Sequence, residues 1–183
     1  RGADIHAKNN AGDTPLHEAI KEREWKIAEW LVERGADIHA KNDEGDTLLH
    51  LAVRRGKLEV ARWLAERGAD IHAKNNKGET PISQRDEGGD TPLHEAARRG
   101  KLEAAKWLVE RGADIHAKND AGNTPLHTAA LWGKLEAVKL LVSKGADMDA
   151  TNKDGKTALM LAKENKQKEV ENYLESILLK RGN

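Results

Sequence analysis

The sequence has no cysteine and no phenylalanine in 183 residues, and only 3% of its residues are aromatic. Without cysteine there is no disulfide, no thiolate nucleophile and no thiolate metal site. Hydrophobic residues make up only 38% of the chain, which favours a thin core over a single thick one. No apolar run approaches the length of a membrane span, and the first residues lack a secretory leader. We expect a soluble protein of the cytoplasm or nucleus, with secretion into a host cell as the alternative.

An excess of charge of either sign is also lacking, because 31 lysines and arginines balance 31 aspartates and glutamates. The chain as a whole is therefore not drawn to nucleic acid, an anionic membrane or a strongly basic target. Any electrostatic preference for a partner has to be local. We expect neither nucleic acid nor a membrane among the binding partners.

What the sequence does contain is internal repetition, which indicates a repeat architecture. The motif Thr-Pro-Leu-His, or a variant of it, begins at Thr14, Thr47, Thr91, Thr124 and Thr157. Successive copies are 33 residues apart, except between Thr47 and Thr91. A second motif, Gly-Ala-Asp-Ile-His-Ala, recurs at residues 35–40, 68–73 and 112–117.

These two motifs, their period and their coverage of nearly the whole chain resemble the ankyrin-repeat family. The resemblance implies an all-α repeat solenoid of stacked helix–turn–helix pairs joined by β-hairpin fingers. It implies that partners bind along a concave face lined by the finger tips and the ends of the first helices. It also implies that the histidine of Thr-Pro-Leu-His stabilises its turn by hydrogen bonding.

The residues predict the helix pairs independently of the resemblance. Threonine is a favourable N-cap and proline suits the first helical position, so each Thr-Pro motif begins a helix. Apolar residues at three- and four-residue spacing, as in residues 58–64, then indicate a second helix with one buried face. Trp30, Trp63 and Trp107 share one position of this second helix, where we expect them to pack between neighbouring pairs.

We predict a single ankyrin-repeat domain over residues 1–183. Its five helix pairs are expected near residues 14–34, 47–67, 91–111, 124–144 and 157–179. The chain begins within a Gly-Ala-Asp-Ile-His-Ala turn, so it is either a fragment of a longer array or has a first pair that serves as its own cap.

The period breaks once. Thr80 follows Thr47 by 33 residues, but the next Thr-Pro begins only 11 residues later, at Thr91. We therefore predict an extended finger loop or a truncated repeat over residues 75–90. It is either a functional loop that binds a partner or a remnant of recombination. The residues predicted at its exposed tip are Gln84, Arg85, Asp86 and Glu87.

The eight histidines form two ladders, one in the Thr-Pro-Leu-His motifs and one in the fingers. Equivalent positions on stacked helix pairs lie roughly 8–10 Å apart. Two such imidazoles cannot share one zinc, because each has to approach to about 2 Å of the metal. No nucleophile accompanies the repeated Asp-x-His, and the common catalytic motifs are absent. We predict no enzyme activity, no metal and no cofactor.

Variation between otherwise similar repeats marks the predicted binding surface. The finger residues expected to contact a partner are Asp43, Glu44, Asn76, Lys77 and Asp120. Trp132, beside Leu131, ends a first helix where the other repeats carry charges. Its ring is therefore either an exposed anchor for a partner or is folded onto the next repeat.

Four arginines also end first helices, namely Arg54, Arg55, Arg98 and Arg99. If the second and third pairs stack directly, these arginines become neighbours and form a basic patch beside Leu131 and Trp132. The alternative is that the four arginines are merely a solvated face. The patch predicts an acidic or phosphorylated peptide with one hydrophobic anchor.

The function predicted from the sequence is a protein–protein interaction module or scaffold. Two alternatives stay open. The near-identical repeats also suit an engineered ankyrin scaffold with an inserted loop and no natural partner. The chain could equally be the binding module of a larger enzyme or of a nucleic-acid-associated protein.

Overall fold

The computed structural model describes residues 4–22 and 24–181. The chain divides into two compact units, Arg1–Gln84 and Arg85–Asn183. The helices of the first unit are α1 (Pro15–Glu22), α2 (Trp25–Glu33), α3 (Leu48–Arg54) and α4 (Leu58–Glu66). Those of the second unit are α5 (Pro92–Arg99), α6 (Leu102–Glu110), α7 (Pro125–Leu131), α8 (Leu135–Ser143), α9 (Ala158–Glu164) and α10 (Lys168–Arg181).

Within each unit, consecutive helices pack together in pairs, and the pairs stack on one another. In the first unit α1 packs against α3. In the second unit the first helices stack in the order α5, α7, α9, and the second helices in the order α6, α8, α10. The described residues form no β-strand, and their one isolated bridge joins Lys41 and Thr47. The predicted all-α architecture of stacked helix pairs is confirmed within each unit.

A threonine–histidine pair begins most of the first helices. The side chain of Thr124 accepts a hydrogen bond from the backbone N–H of His127, as an N-cap should. In return, the backbone N–H of Thr124 donates to His127 Nδ1 over 3.2 Å. Because a backbone N–H can only donate, Nδ1 is the acceptor and the ring proton lies on Nε2.

The same imidazole ties its helix to the next finger along the chain. His127 Nε2 lies 3.0 Å from the carbonyl oxygen of Lys156, to which it donates. His50 and His94 make the equivalent bonds to the carbonyls of Glu79 and Asn123. The histidine ladder is therefore an internal hydrogen-bonding network, as the family resemblance implied.

Burial lowers the pKa of each histidine in this ladder, although interactions with backbone carbonyls oppose the shift in all four. A group whose pKa is lower in the folded chain than in the unfolded chain makes its full contribution to stability at pH values above its unfolded pKa, which is about 6.5 for histidine. This contribution is lost as the pH falls towards the folded pKa. Below about pH 6.5 the unfolded chain binds protons that the folded chain rejects. Acidification should therefore destabilise both units.

We expect the free energy of unfolding to fall as the pH is lowered from 7.5 to 5.5. The slope below pH 6.5 should approach about 1.4 kcal/mol per pH unit for each buried histidine, until the folded pKa is reached. Urea unfolding at closely spaced pH values measures it. The exposed finger histidines supply the control, since replacing His39 and His116 with glutamine should leave the slope unchanged. A stability that is flat across this range would contradict the prediction.

Each finger is built around one asparagine or aspartate side chain. Asn42 Oδ1 accepts the backbone N–H groups of Glu44 and Asp46, over 3.1 and 2.9 Å. The backbone N–H of Asn42 donates to the carbonyl of Asp46 over 3.0 Å, which closes the turn. The same closing bond recurs in the fingers at residues 9–13, 75–79, 86–90, 119–123 and 152–156.

Residues 75–90 contain two of these fingers, joined by a single helical turn. The backbone N–H groups of Ser83 and Gln84 both donate to the carbonyl of Thr80. Gln84 is only 4% exposed, and its Nε2 donates to the carbonyls of His50 and Pro81 over 2.9 and 2.8 Å. The prediction that Gln84 lies at an exposed tip is therefore wrong. The interrupted repeat keeps its first turn, and this turn still packs on the preceding repeat.

The other three residues predicted at the tip are exposed. Two of them maintain the second finger, because Asp86 Oδ1 accepts the backbone N–H groups of Gly88 and Asp90. Arg85 donates to the carbonyls of Gly89 and Lys118, over 2.8 Å in both cases. Glu87 alone among the four has no side-chain bond within the described part of the chain.

The three equivalent tryptophans differ in their surroundings. Trp107 is 4% exposed, and the ring of Trp63 meets the edge of Trp25 with centroids 4.7 Å apart. Trp30 is 46% exposed, with the guanidinium of Arg34 lying 3.8 Å from its ring centroid. The expectation of packing between pairs is therefore wrong for Trp30, because no described helix pair precedes the one to which it belongs.

Candidate partner-binding site

A cleft of about 550 Å³ opens in the first unit, between two fingers and the ends of two first helices. The fingers are those at residues 9–13 and 42–46, and the helices are α1 and α3. We call it the first-unit cleft. The charged residues that line it are Asp13, Lys21, Asp43, Glu44, Arg54 and Arg55. Its volume lies within the range that small ligands and peptide side chains occupy.

Two of these charged residues form ion pairs with buried carboxylates. Lys21 pairs with Asp13, and Arg54 Nη2 lies 2.6 Å from Asp46 Oδ2. Burial raises the pKa of Asp13, but hydrogen bonds from Lys21 and Asn42 outweigh it, and the pKa lies below its ordinary value. Because both acids are buried, Lys21 and Arg54 each neutralise a carboxylate of the protein, although the Arg54 side chain is itself 45% exposed.

Three charged side chains of the first-unit cleft remain free for a partner. Asp43, Glu44 and Arg55 are exposed, and their side chains make no hydrogen bond or ion pair within residues 4–22 and 24–181. The acids belong to the finger side of the cleft, whereas Arg55 caps the end of α3. These three residues are the strongest candidates among those predicted from the sequence.

The predicted basic patch is divided between the two units and partly neutralised. Arg54 and Arg55 belong to the first unit, and Arg98 and Arg99 to the second. In the second unit both arginines pair with one carboxylate, that of Glu95. A patch of all four arginines stays a prediction, and three of its four members already have acidic partners.

The ring of Trp132 is exposed, which is one of the two alternatives that the sequence allowed. It follows the end of α7 and is 52% exposed, whereas Leu131 is half-buried. The helix that Trp132 follows, α7, packs against both α5 and α9. This geometry leaves much of the indole available to a partner.

The remaining finger residues differ in their roles. Asn76 Nδ2 donates to the carbonyl of Asp43 over 2.8 Å, so this side chain joins two fingers. Lys77 and Asp120 are exposed, and their side chains make no hydrogen bond or ion pair among the residues that the structure describes. Lys77 and Asp120 therefore remain free to contact a partner, while Asn76 has a structural task.

Sequence reasoning missed the internal pairing, although the spacing held a signal for it. Asp13 and Lys21 are eight residues apart, as are Asp46 and Arg54. Lys156 and Glu164 repeat this spacing with the signs reversed, and they pair over 2.7 Å. In these three cases the finger charge pairs with the charge eight residues later, whereas Arg98, which follows Asp90 by the same spacing, pairs with Glu95.

The described residues contain no group of three or more histidines, aspartates or glutamates arranged to hold a metal ion. Among the described helices, none has both the length and the apolar character needed to cross a bilayer.

Comparisons with known families agree with the architecture. A family model described as ankyrin repeats (3 copies) matches residues 1–75 and 93–177. A second, described as ankyrin repeats (many copies), matches residues 52–109. Comparison with curated proteins gives no match. The gap in the first match coincides with the irregular segment at residues 75–90.

Proposed function

Because this chain belongs to the ankyrin-repeat family, whose repeats generally act as protein–protein interaction modules, we propose that it binds a protein or peptide through the first-unit cleft and, separately, through Trp132 of the second unit. The observation that carries the proposal is the set of unpaired charges in the cleft. Exposed charged groups without intramolecular partners are free to pair with a ligand, whereas paired ones first have to be separated.

Trp132 supports the proposal as a second contact in the second unit. Large exposed aromatic side chains are enriched among the residues that dominate binding energy. The indole also has little to do for the fold, since much of it is exposed. The proposed function is non-catalytic and needs only binding.

The proposal can be tested by selecting peptides from a displayed random library on the full chain. The affinities of the selected peptides are then measured by fluorescence polarisation. Trp132→Ala or Arg55→Ala should weaken binding of the peptides that contact them by about 30-fold, which corresponds to about 2 kcal/mol.

Lys144→Ala serves as the matched control for these variants. Lys144 is exposed and caps the end of α8, which is the second helix of its pair. Arg55 and Trp132 instead cap the ends of first helices, α3 and α7. Its replacement should leave the affinities unchanged. If the library yields no binding peptide, or if the two test variants bind as well as the control, the proposed function is wrong.

A further inference from the structure

We propose that the first-unit cleft selects a bipolar peptide segment, one that presents a basic side chain to Asp43 and Glu44 and a carboxylate to Arg55. This inference rests on the proposed function and names the chemistry of the ligand. It replaces the acidic peptide that the arginine-rich helix ends suggested.

Two of the cations that line the first-unit cleft already pair with carboxylates of the protein. Lys21 is committed to Asp13, and Arg54 to Asp46. Both carboxylates are further held by amides of neighbouring fingers, since Asn42 Nδ2 donates to Asp13 and Asn75 Nδ2 to Asp46. Both carboxylates are only 1% exposed, so a ligand that drew Lys21 or Arg54 away would leave a buried acid without its partner, which makes these two cations costly contacts.

The remaining charged side chains of the cleft come from two different elements of the fold. Asp43 and Glu44 form the tip of one finger, and the backbone of Asp43 is fixed by donating to the carbonyl of Ala11 over 3.1 Å. Arg55 belongs to a different lining element, the end of α3. The free charges of the cleft are thus two negative groups from a finger and one positive group from a helix end.

This arrangement discriminates against ligands of a single sign. An acidic segment gains from Arg55 but is repelled by two carboxylates, and a basic segment meets the opposite problem. A segment with both charges satisfies both sides. Arginine suits the second contact, because its planar guanidinium can bind a carboxylate through two parallel hydrogen bonds.

The rest of the cleft lining adds no further charge at a finger tip. The other finger that lines it carries Asn10 and Ala11 at the corresponding tip positions, and neither is charged. The one large apolar side chain of the lining, Leu51, is buried. Charge is therefore the main feature that this cleft offers to a ligand, and binding should weaken as the salt concentration rises.

The test uses the same displayed random library on four forms of the full chain. These are the wild type, the finger variant Asp43→Lys/Glu44→Lys, the helix variant Arg55→Glu, and the triple variant that combines all three changes. The wild type should enrich peptides that carry a lysine or arginine together with an aspartate or glutamate. The finger variant should enrich acidic peptides, the helix variant basic ones, and the triple variant bipolar ones again.

One selected wild-type peptide is then synthesised with its basic residue changed to glutamate. Its affinity for the wild type should fall at least about 10-fold, and the finger variant should restore it, since reversed pairs of this kind exchange repulsion for attraction. The three substituted residues have no side-chain partner among the described residues, so thermal unfolding should show that all four proteins are folded. Lys144→Glu is the charge-reversal control and should enrich the same peptides as the wild type.

The outcomes separate this inference from the function on which it rests. Peptides of one sign only, or affinities that charge reversal leaves unchanged, would overturn the bipolar ligand while leaving a peptide-binding function in place. A library that yields no peptide on any form would overturn the proposed function and this inference with it.

Discussion

Replacement of His127 with alanine should lower the free energy of unfolding of the second unit by about 4 kcal/mol. The imidazole is fully buried and makes hydrogen bonds at both ring nitrogens. Alanine would leave the N–H of Thr124 and the carbonyl of Lys156 without these partners, and would also leave a cavity. Urea unfolding of the full chain, followed by tryptophan fluorescence, measures the loss.

The control for this substitution is His116→Ala in the same unit. His116 belongs to the finger ladder and is exposed, and its backbone N–H, which donates to Asp114 Oδ1, survives the change. The expected loss is within about 0.5 kcal/mol. Equal losses for the two histidines would show that the buried ladder is not the stabilising network described above.

Replacement of Gly45 with alanine should cost the first unit about 3 kcal/mol. Gly45 has a φ of +75°, a conformation that side chains with a Cβ disfavour. A Cβ at this position would also lie 2.8 Å from the backbone nitrogen of Asn76 and would collide with its side chain. The adjacent finger would have to move, which disturbs the bond from Asn76 N–H to the Glu44 carbonyl.

Gly78 offers a matched comparison, because the same strain occurs there without the collision. Its φ is +76°, and a Cβ would meet nothing within 4 Å. Gly78→Ala should therefore cost only the conformational strain, about 1 to 2 kcal/mol. The difference between the two variants in urea unfolding isolates the finger-to-finger contact. If both variants lose the same free energy, the close approach of the fingers does not stabilise the unit.

The charge pattern shows how far local reasoning reached. Sequence comparison of the repeats identified the finger tips and helix ends as variable positions, and the exposure of Arg55, Asp43 and Glu44 agrees with that choice. It also counted every helix-end arginine as available to a partner. Pairing within the protein removes most of them, because a finger carboxylate or a neighbouring glutamate lies within reach.

The segment at residues 75–90 shows the opposite limit. Counting residues located the interruption, since 11 residues cannot hold a helix pair. It did not reveal that Asp86 takes the role that Asn42 has in its finger, or that Arg85 donates to the carbonyl of Lys118 as Lys118 donates to that of Thr151. Nor could it place Gln84 in the interior, because burial of a polar side chain depends on a carbonyl 34 residues away.

The sequence by itself determined the repeat, its 33-residue period, the helix starts and the family. These features depend on local conformational preferences, and the same residues encode them in each copy of the repeat. The tertiary structure decided which charges are free, which tryptophans are covered and which loop residues are buried. Those properties depend on contacts between successive repeats, where one side chain meets a backbone or a carboxylate that is distant along the chain. The candidate contacts are therefore, in the first unit, the cleft charges that have no partner among the described residues and, in the second unit, one exposed indole.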